Sequence, residues 1–389
     1  MTGERPDVLV IGAGVVGAAC AYFCAAAGLR VAVLERGGVA GGTTSGGEGN
    51  ILVSDKSPSP ELDLALLSVR LWGELGERFG PDAFELEHKG GVVVAQSPEA
   101  ARGLAALTAE QRGLGVEAVD VSATELAELE PNLTPDVCAG AFYPQDMQVQ
   151  PMLAAAELLR GARALGATVH TGTEVLAFRC TREAVQGVVT NRGEFAARWV
   201  VNAAGTWGGA VSELAGAPVP VLPRRGFVLV TEPLPRVIRH KVYTADYVAN
   251  VASGDAGLET SVVVEGTRAG TVLIGASRER VGFDRQFSLP VVRKLAAQAL
   301  GVFPFLADVA LLRSYLGFRP YCPDHLPVIG ADPRLPGLVH ACGHEGAGIG
   351  LAAATGHLIA QELTGAKPDL DLTPFRADRF ADRSTEEQT

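Results

Sequence analysis

The sequence predicts an α/β fold, in which a Rossmann-like dinucleotide-binding unit joins a mostly antiparallel, hairpin-rich sheet. Three observations predict it. Val8–Ile11 is a short apolar run suited to a buried strand, and Gly12-Ala13-Gly14-Val15-Val16-Gly17 follows at once in the spacing G-x-G-x-x-G. Residues 18–27 read as an Ala-rich helix ending at Gly28, after which Val31-Ala32-Val33-Leu34 reads as a second strand with Glu35 at its end. Farther along, over residues 218–275, apolar and polar residues alternate between short glycine-containing turns, as in β-hairpins.

Each part of the first motif has a physical job. Gly12 permits the tight turn out of the strand, Gly14 lets backbone N–H groups approach a pyrophosphate, and Gly17 lets the helix pack close to the sheet. The helix N-terminus, with the backbone of Ala13, Val15 and Val16, offers donors and partial positive charge to a phosphate. Glu35, about twenty residues past the loop, is placed to hydrogen-bond the hydroxyls of an adenosine ribose, and its charge disfavours a 2′-phosphate. The rival reading is a membrane-spanning helix, because residues 8–29 carry no charge and are long enough to cross about 30 Å. Three glycines in its first half, and a strand ending in an acid directly after it, favour the nucleotide site.

With 389 residues, the chain can form one large or two medium domains. A net charge of −11 argues against a nucleic-acid surface and a polybasic membrane anchor. No basic n-region or cleavage site precedes the first strand, so no signal peptide is expected. Six dispersed cysteines with no C-x-x-C suggest a reducing cytoplasm and no iron–sulfur cluster on this chain. Cys20 and Cys24 lie four apart on one helix and read as small buried residues rather than a metal pair; no metal site is expected.

After Glu35 and Arg36 comes a glycine-rich loop with Thr43, Thr44, Ser45, Gly46, Gly47, Glu48 and Asn50. It reads as a surface linker or a ligand cradle, and its place after Glu35 favours the cradle. The segment resembles the second flavin-binding segment of the D-amino acid oxidase superfamily, whose members include glycine oxidase, sarcosine oxidase and amino-acid dehydrogenases. Its version here is closer to the catalytic subunits of opine oxidases, D-hydroxyproline dehydrogenases and hydrogen cyanide synthase.

Residues 60–79 then read as an amphipathic helix with Leu62, Leu66, Val69 and Leu75 or nearby residues on one face, 84–95 as a strand with Gly90-Gly91 as interior turn, and 98–114 as a helix. Ser122 and Glu125 form a capping-box pattern. Residues 139–143 read as a strand, 152–165 as a helix and 168–170 and 174–176 as strands. The run 172–175 resembles the family element that meets the adenine through the backbone of Val175. His170 and, later, His357 read as structural. Residues 195–202 read as one buried strand ending in Asn202-Ala203-Ala204-Gly205-Thr206-Trp207, where the resemblance assigns Ala203, Ala204, Gly205 and Trp207 to the cofactor's diphosphate end. Arg224 and Arg225 either face the flavin or cover a sheet edge. Tyr247 reads as a pocket residue or a core tyrosine.

Gly317-Phe318-Arg319-Pro320 through Gly330 resembles the family's G-x-R-P-x-x-x-D-x-x-P-x-I-G, whose arginine holds the substrate carboxylate by two parallel hydrogen bonds. The alternative is an Arg319 paired with a local acid such as Asp324. Gly343, His344, Glu345, Gly346, Ala347, Gly348 and Ile349 resemble the last flavin segment, in which a helix N-terminus faces the pyrimidine edge. His344 is either a second catalytic candidate or a loop histidine.

The resemblance implies an FAD-binding domain from residues 1–80, 145–222 and 323–372, an inserted substrate-binding domain from 81–144 and 223–322, and a tail, 373–389. It implies non-covalent FAD; Cys322 lies near the cysteine that some sarcosine oxidases attach to flavin, but in no matching motif. It implies hydride transfer from the Cα of an amino acid or secondary amine (D-hydroxyproline, proline or an opine) to flavin N5, giving an imine. Electrons would pass to an iron–sulfur-containing partner subunit or an artificial acceptor. The alternatives are a self-sufficient oxidase of glycine, sarcosine or D-amino acids that releases hydrogen peroxide, and a flavin-binding assembly subunit without turnover.

Overall fold

The computed structural model describes residues 5–181, 184–245 and 255–380. Strand β1 (Val8–Ile11), helix α1 (Val15–Ala26) and strand β2 (Val31–Glu35) form the unit the glycine motif specifies. β1 lies inside a six-stranded sheet, parallel to β2 on one side and to Trp199–Asn202 on the other. Thr168–Thr171 pairs with β2; Leu338–Cys342 and the antiparallel Val328–Ala331 close the other edge. β1 is buried along its whole length, which is why it reads as an unbroken apolar run.

Helix α1 packs against Pro151–Ala164 and Gly348–Thr364. The second contact depends on small residues: a Cβ at Gly356 would stand 2.5 Å from the Ala19 carbonyl carbon. Cys20 and Cys24 are buried in this packing, and burial pushes the Cys24 thiol up to about 12. The charge-free stretch 8–29 is thus strand, turn and helix, and among the described residues no helix is long and apolar enough to cross a membrane.

The second sheet has eight strands in the order Leu311–Tyr321, Leu222–Thr231, Val272–Arg278, Glu259–Gly266, Lys241–Thr244, Gly91–Ala95, Ala139–Tyr143 and Val119–Ser122. Its pairs are antiparallel except Lys241–Thr244 with Gly91–Ala95. Phe227 and Leu229 share a core with Val291 and Leu295 of the helix Leu289–Leu300. Because side chains alternate along a strand, Gly226 and Val228 face the opposite way, toward the parallel sheet.

Two expectations need correction. The run 195–202 is two strands in different sheets: Gly193–Ala196 belongs to a three-stranded hairpin sheet and Trp199–Asn202 to the parallel sheet. The chain breaks where Arg198 and Trp199 both donate their N–H groups to the Asp7 carbonyl, at 3.2 and 3.0 Å. The stretch 84–95 is a strand only from Gly91, because Gly90 sits at φ +75°. In Pro60–Phe79 the buried face runs through Leu62, Ala65, Trp72 and Leu75, with Leu66 and Val69 half-buried against the same core, as expected. The capping box is present, with Ser122 and Glu125 each accepting the other's backbone N–H.

Candidate active site

An elongated cavity of about 390 Å³ lies between the two sheets, at the carboxyl ends of the parallel strands. One end is built by the β1–α1 turn. Gly12 takes φ +105°, and a Cβ there would stand 2.5 Å from the Ala203 carbonyl oxygen. Gly14, Val15 and Val16 line the wall, and the N–H of Val15 donates to Thr44 Oγ1 at 3.0 Å. Glu35 accepts the N–H of Ala13 at 2.9 Å on one oxygen and that of Gly37 at 2.7 Å on the other. Its carboxylate therefore clamps the glycine turn to the next loop while lining the cavity. Beside it the Arg36 guanidinium lies 4.0 Å above the Trp207 ring, and both line the same end with Thr173, Glu174 and Val175.

The loop at 43–50 crosses the middle of the cavity and is fastened to the eight-stranded sheet. Thr43 donates to the Phe318 carbonyl at 2.9 Å, and the Tyr315 hydroxyl donates to the Gly47 carbonyl at 3.0 Å. Gly46 and Gly317 touch backbone to backbone: a Cβ on Gly317 would stand 2.4 Å from the Gly46 oxygen. The loop lines the cavity and is tied to the roof sheet rather than lying free as a surface linker.

Arg319 is at the other end. Its Nη1 donates to the Ser277 carbonyl at 2.7 Å, and the guanidinium lies across Gly226, where a Cβ would be 2.1 Å from Nη1. Gly346, on the last loop, faces the same side chain, with a would-be Cβ 3.6 Å from Nε. Asp324, the alternative partner, is instead bound by Arg379 at 2.7 Å.

His344 lines the cavity but is buried, and burial pushes its imidazole down to about 3. Thr355 donates its hydroxyl to the Leu351 carbonyl, so at 2.9 Å it accepts from His344 Nε2–H. His344 is a fixed neutral ring, not an acid at neutral pH. Glu345 sits at φ +46°; burial alone would raise its carboxyl, but hydrogen bonds from His325 and Arg224 hold it below the usual range.

Arg224 and Arg225 do not line the cavity. Buried Arg224 bridges Glu345 at 2.6 Å and Glu259 at 2.8 Å, and Arg225 binds Glu279 at 2.8 Å and Asp284 at 2.7 Å. Five further expected positions stand behind the wall. Ala13 contributes the N–H that Glu35 holds, and Gly17 packs on the Gly12 carbonyl. Ser45 is exposed and bonds the Gly42 carbonyl at 3.1 Å. Gly343 turns at φ +79° against Cys322, and Ala347 caps the helix Gly348–Thr364. Tyr247 lies outside the described residues.

The sequence reading missed Gly226, Val228 and Gly317 on the roof strands and Ala210, Val211 and Leu214 on the short helix Gly208–Leu214. Strand alternation was the available signal for the first three.

The cavity thus has a glycine turn opening a helix at one end, an acid at the second strand, and a second helix start, Gly348 and Ile349, near the other. That donor set fits a dinucleotide whose diphosphate meets the first helix and whose electron-rich ring meets the second. None of the six cysteines lines the cavity.

The family described as FAD dependent oxidoreductase (DAO) matches residues 7–362. The chain is 31% identical to hydrogen cyanide synthase subunit HcnC of Pseudomonas aeruginosa, over 96% of each chain. It is 32% identical to glycine oxidase of Geobacillus kaustophilus, over 97% of each. A crystal structure of glycine oxidase from Geobacillus kaustophilus superposes with a TM-score of 0.87 at 29% identity, covering 97% of this chain and 99% of that one. The crystal structure of L-proline dehydrogenase from P. horikoshii shares the fold, with a TM-score of 0.89 at 24% identity over 98% and 99% of the two chains.

Proposed function

The chain belongs to the DAO family of FAD-dependent oxidoreductases, and from that premise we propose that it is a dehydrogenase of a small amino acid or secondary amine, of the proline, hydroxyproline or opine kind. FAD, when bound, supplies the hydride acceptor. The residues lining the cavity fit it: Gly12, Gly14 and the start of α1 would hold the diphosphate, Glu35 the adenosine ribose, Val175 the adenine, and Gly348 and Ile349 the pyrimidine edge.

Arg319 carries the proposal. It is the cation placed by the roof sheet at the cavity's ring end, and a planar guanidinium suits two parallel bonds to a carboxylate. Anchored there, a substrate acid would have its Cα oriented by Arg319. Gly226, Val228 and Gly317 would give the substrate a close, apolar roof over its Cα. His344, neutral and fixed, adds no proton of its own.

For the electrons we propose an acceptor on a partner, as the likeness to a protein named as a synthase subunit favours. The second reading is an oxidase that reduces oxygen, favoured by the equal likeness to glycine oxidase. An anaerobic screen of D- and L-amino acids, N-methyl amino acids, hydroxyprolines and opines, read at the flavin band, tests the reading. Bleaching by one of these is expected, and a flavin that none of them bleaches refutes it. Stoichiometric peroxide in air would move the assignment to the oxidase.

A further inference from the structure

Glu48 is a carboxylate that the fold buries beside Arg319 with one oxygen unused. It lines the cavity, yet its Oε1 is buried with no hydrogen-bond partner among the described residues. That oxygen reaches the roof strand Val272–Arg278 at Gly275, where a Cβ would stand 2.7 Å from it. Arg319 grips the same strand two residues on, at the Ser277 carbonyl. Guanidinium and carboxylate therefore meet the same roof strand two residues apart, close enough for the Arg319 charge to act on Glu48.

The charges around Glu48 come from three elements: Lys241 and Glu265, paired to each other at 2.5 Å, and Arg319. The Asn50 side chain acts on the Glu48 carboxylate as a hydrogen-bond donor, and Tyr315 stands nearby as a neutral polar group. Glu265 is already used, accepting from Lys241 and from the Gly49 N–H at 3.2 Å. Two cations thus face two anions, and of the two anions it is Glu48 that keeps an acceptor without a hydrogen-bond partner among the described residues. Burial raises its carboxyl, Lys241 opposes and Glu265 adds, which makes it a stronger base than a surface glutamate.

Building on the reading above, we propose that Glu48 binds the substrate's ammonium and takes a proton from it, leaving a neutral amine. One N–H bond breaks, one O–H bond forms on Glu48, and the electron pair stays on nitrogen. The amine then has the lone pair that Cα needs as it gives up its hydride.

The test compares holoenzyme of the wild type, Glu48→Gln and Glu48→Asp, each checked for flavin content and melting. Anaerobic bleaching by the best amino acid or amine from the screen is followed against pH, and the affinity for acetate is read from the shift of the flavin band. In the wild type kcat/KM should level off near neutral pH. In Glu48→Gln it should fall on the order of 100-fold at pH 7 and then climb about tenfold per pH unit toward the amine's own pKa, because only free neutral amine reacts. Acetate, which has no amine, should bind Glu48→Gln within about twofold of the wild type or tighter. Glu48→Asp should keep the plateau at a lower rate. An unchanged profile in Glu48→Gln, a lost plateau in Glu48→Asp, or equal loss of acetate and amine would overturn the proposal. A wild type that no amine or amino acid reduces would overturn the functional reading itself, and this proposal with it.

Discussion

Gly226→Ala tests whether the Arg319 guanidinium is held where it acts by the absence of a side chain on the neighbouring strand. The added Cβ would stand 2.1 Å from Arg319 Nη1 and 2.5 Å from the Ser277 carbonyl oxygen. Ordinary contact needs about 3.5 Å, so the guanidinium must retreat by more than 1 Å or the strands must part. A misplacement near 1 Å costs on the order of 100-fold in rate. Overpacking against the Ser277 backbone costs about 1–3 kcal/mol of stability. The assay is anaerobic flavin bleaching at several substrate concentrations, with a melting curve alongside. kcat/KM should drop by roughly two orders of magnitude, mostly through KM, while flavin stays bound. The decisive control is the same change in an Arg319→Ala background. There the kinetic cost of Gly226→Ala should vanish, because the two substitutions act on one contact. Additive losses, or a Gly226→Ala enzyme within threefold of the wild type, would refute the reasoning.

Glu35→Ala leaves the N–H groups of Ala13 and Gly37 without their acceptor. FAD affinity, measured by fluorescence quenching, should fall by roughly 10- to 100-fold, and stability by about 1–3 kcal/mol. Arg224→Met strands Glu345 and Glu259 without their shared cation; chemical denaturation should show a loss of about 3–5 kcal/mol. His344 has a folded pKa of about 3 against an ordinary 6.5, so between those values the unfolded chain binds the extra proton and its stabilising share is lost as pH falls. The stability difference between the wild type and His344→Gln should therefore shrink by up to about 1.4 kcal/mol per pH unit from pH 6.5 down toward 3, read from melts across that range. A pH-independent difference would mean that His344 titrates normally.

What the sequence could reveal depended on whether a residue's role is local. Gly12 and Gly14 are legible because a sharp turn, a helix start and a strand lie within a dozen residues, and each imposes its own residue type. The long helix Pro60–Phe79 is legible for the same reason, through its period. Arg224 is not: its partners Glu345 and Glu259 are 121 and 35 residues away, and nothing in Pro223-Arg224-Arg225-Gly226 says which arginine turns inward. The break at Ala197-Arg198 was missed because Phe195 and Trp199 both suit a strand, and only the Asp7 carbonyl decides that they belong to different sheets. Glu48 stood in a flavin-binding segment by resemblance, but its open oxygen is visible only once the roof strand is laid over it.

The crossing loop carries the last consequence. Residues 43–50 belong in sequence to the nucleotide unit, yet they are fastened to the roof sheet by Thr43, by Tyr315, by the Gly46–Gly317 contact and by the Gly49 N–H on Glu265. None of these bonds needs a ligand. The loop is therefore expected to stand formed before FAD enters, with little loop-ordering cost charged to binding. Hydrogen exchange on flavin-free and flavin-loaded protein separates this from a loop that orders on binding. The Gly49 amide should be protected in both states. Unliganded exchange at the rate of a free chain would show that the roof does not hold the loop.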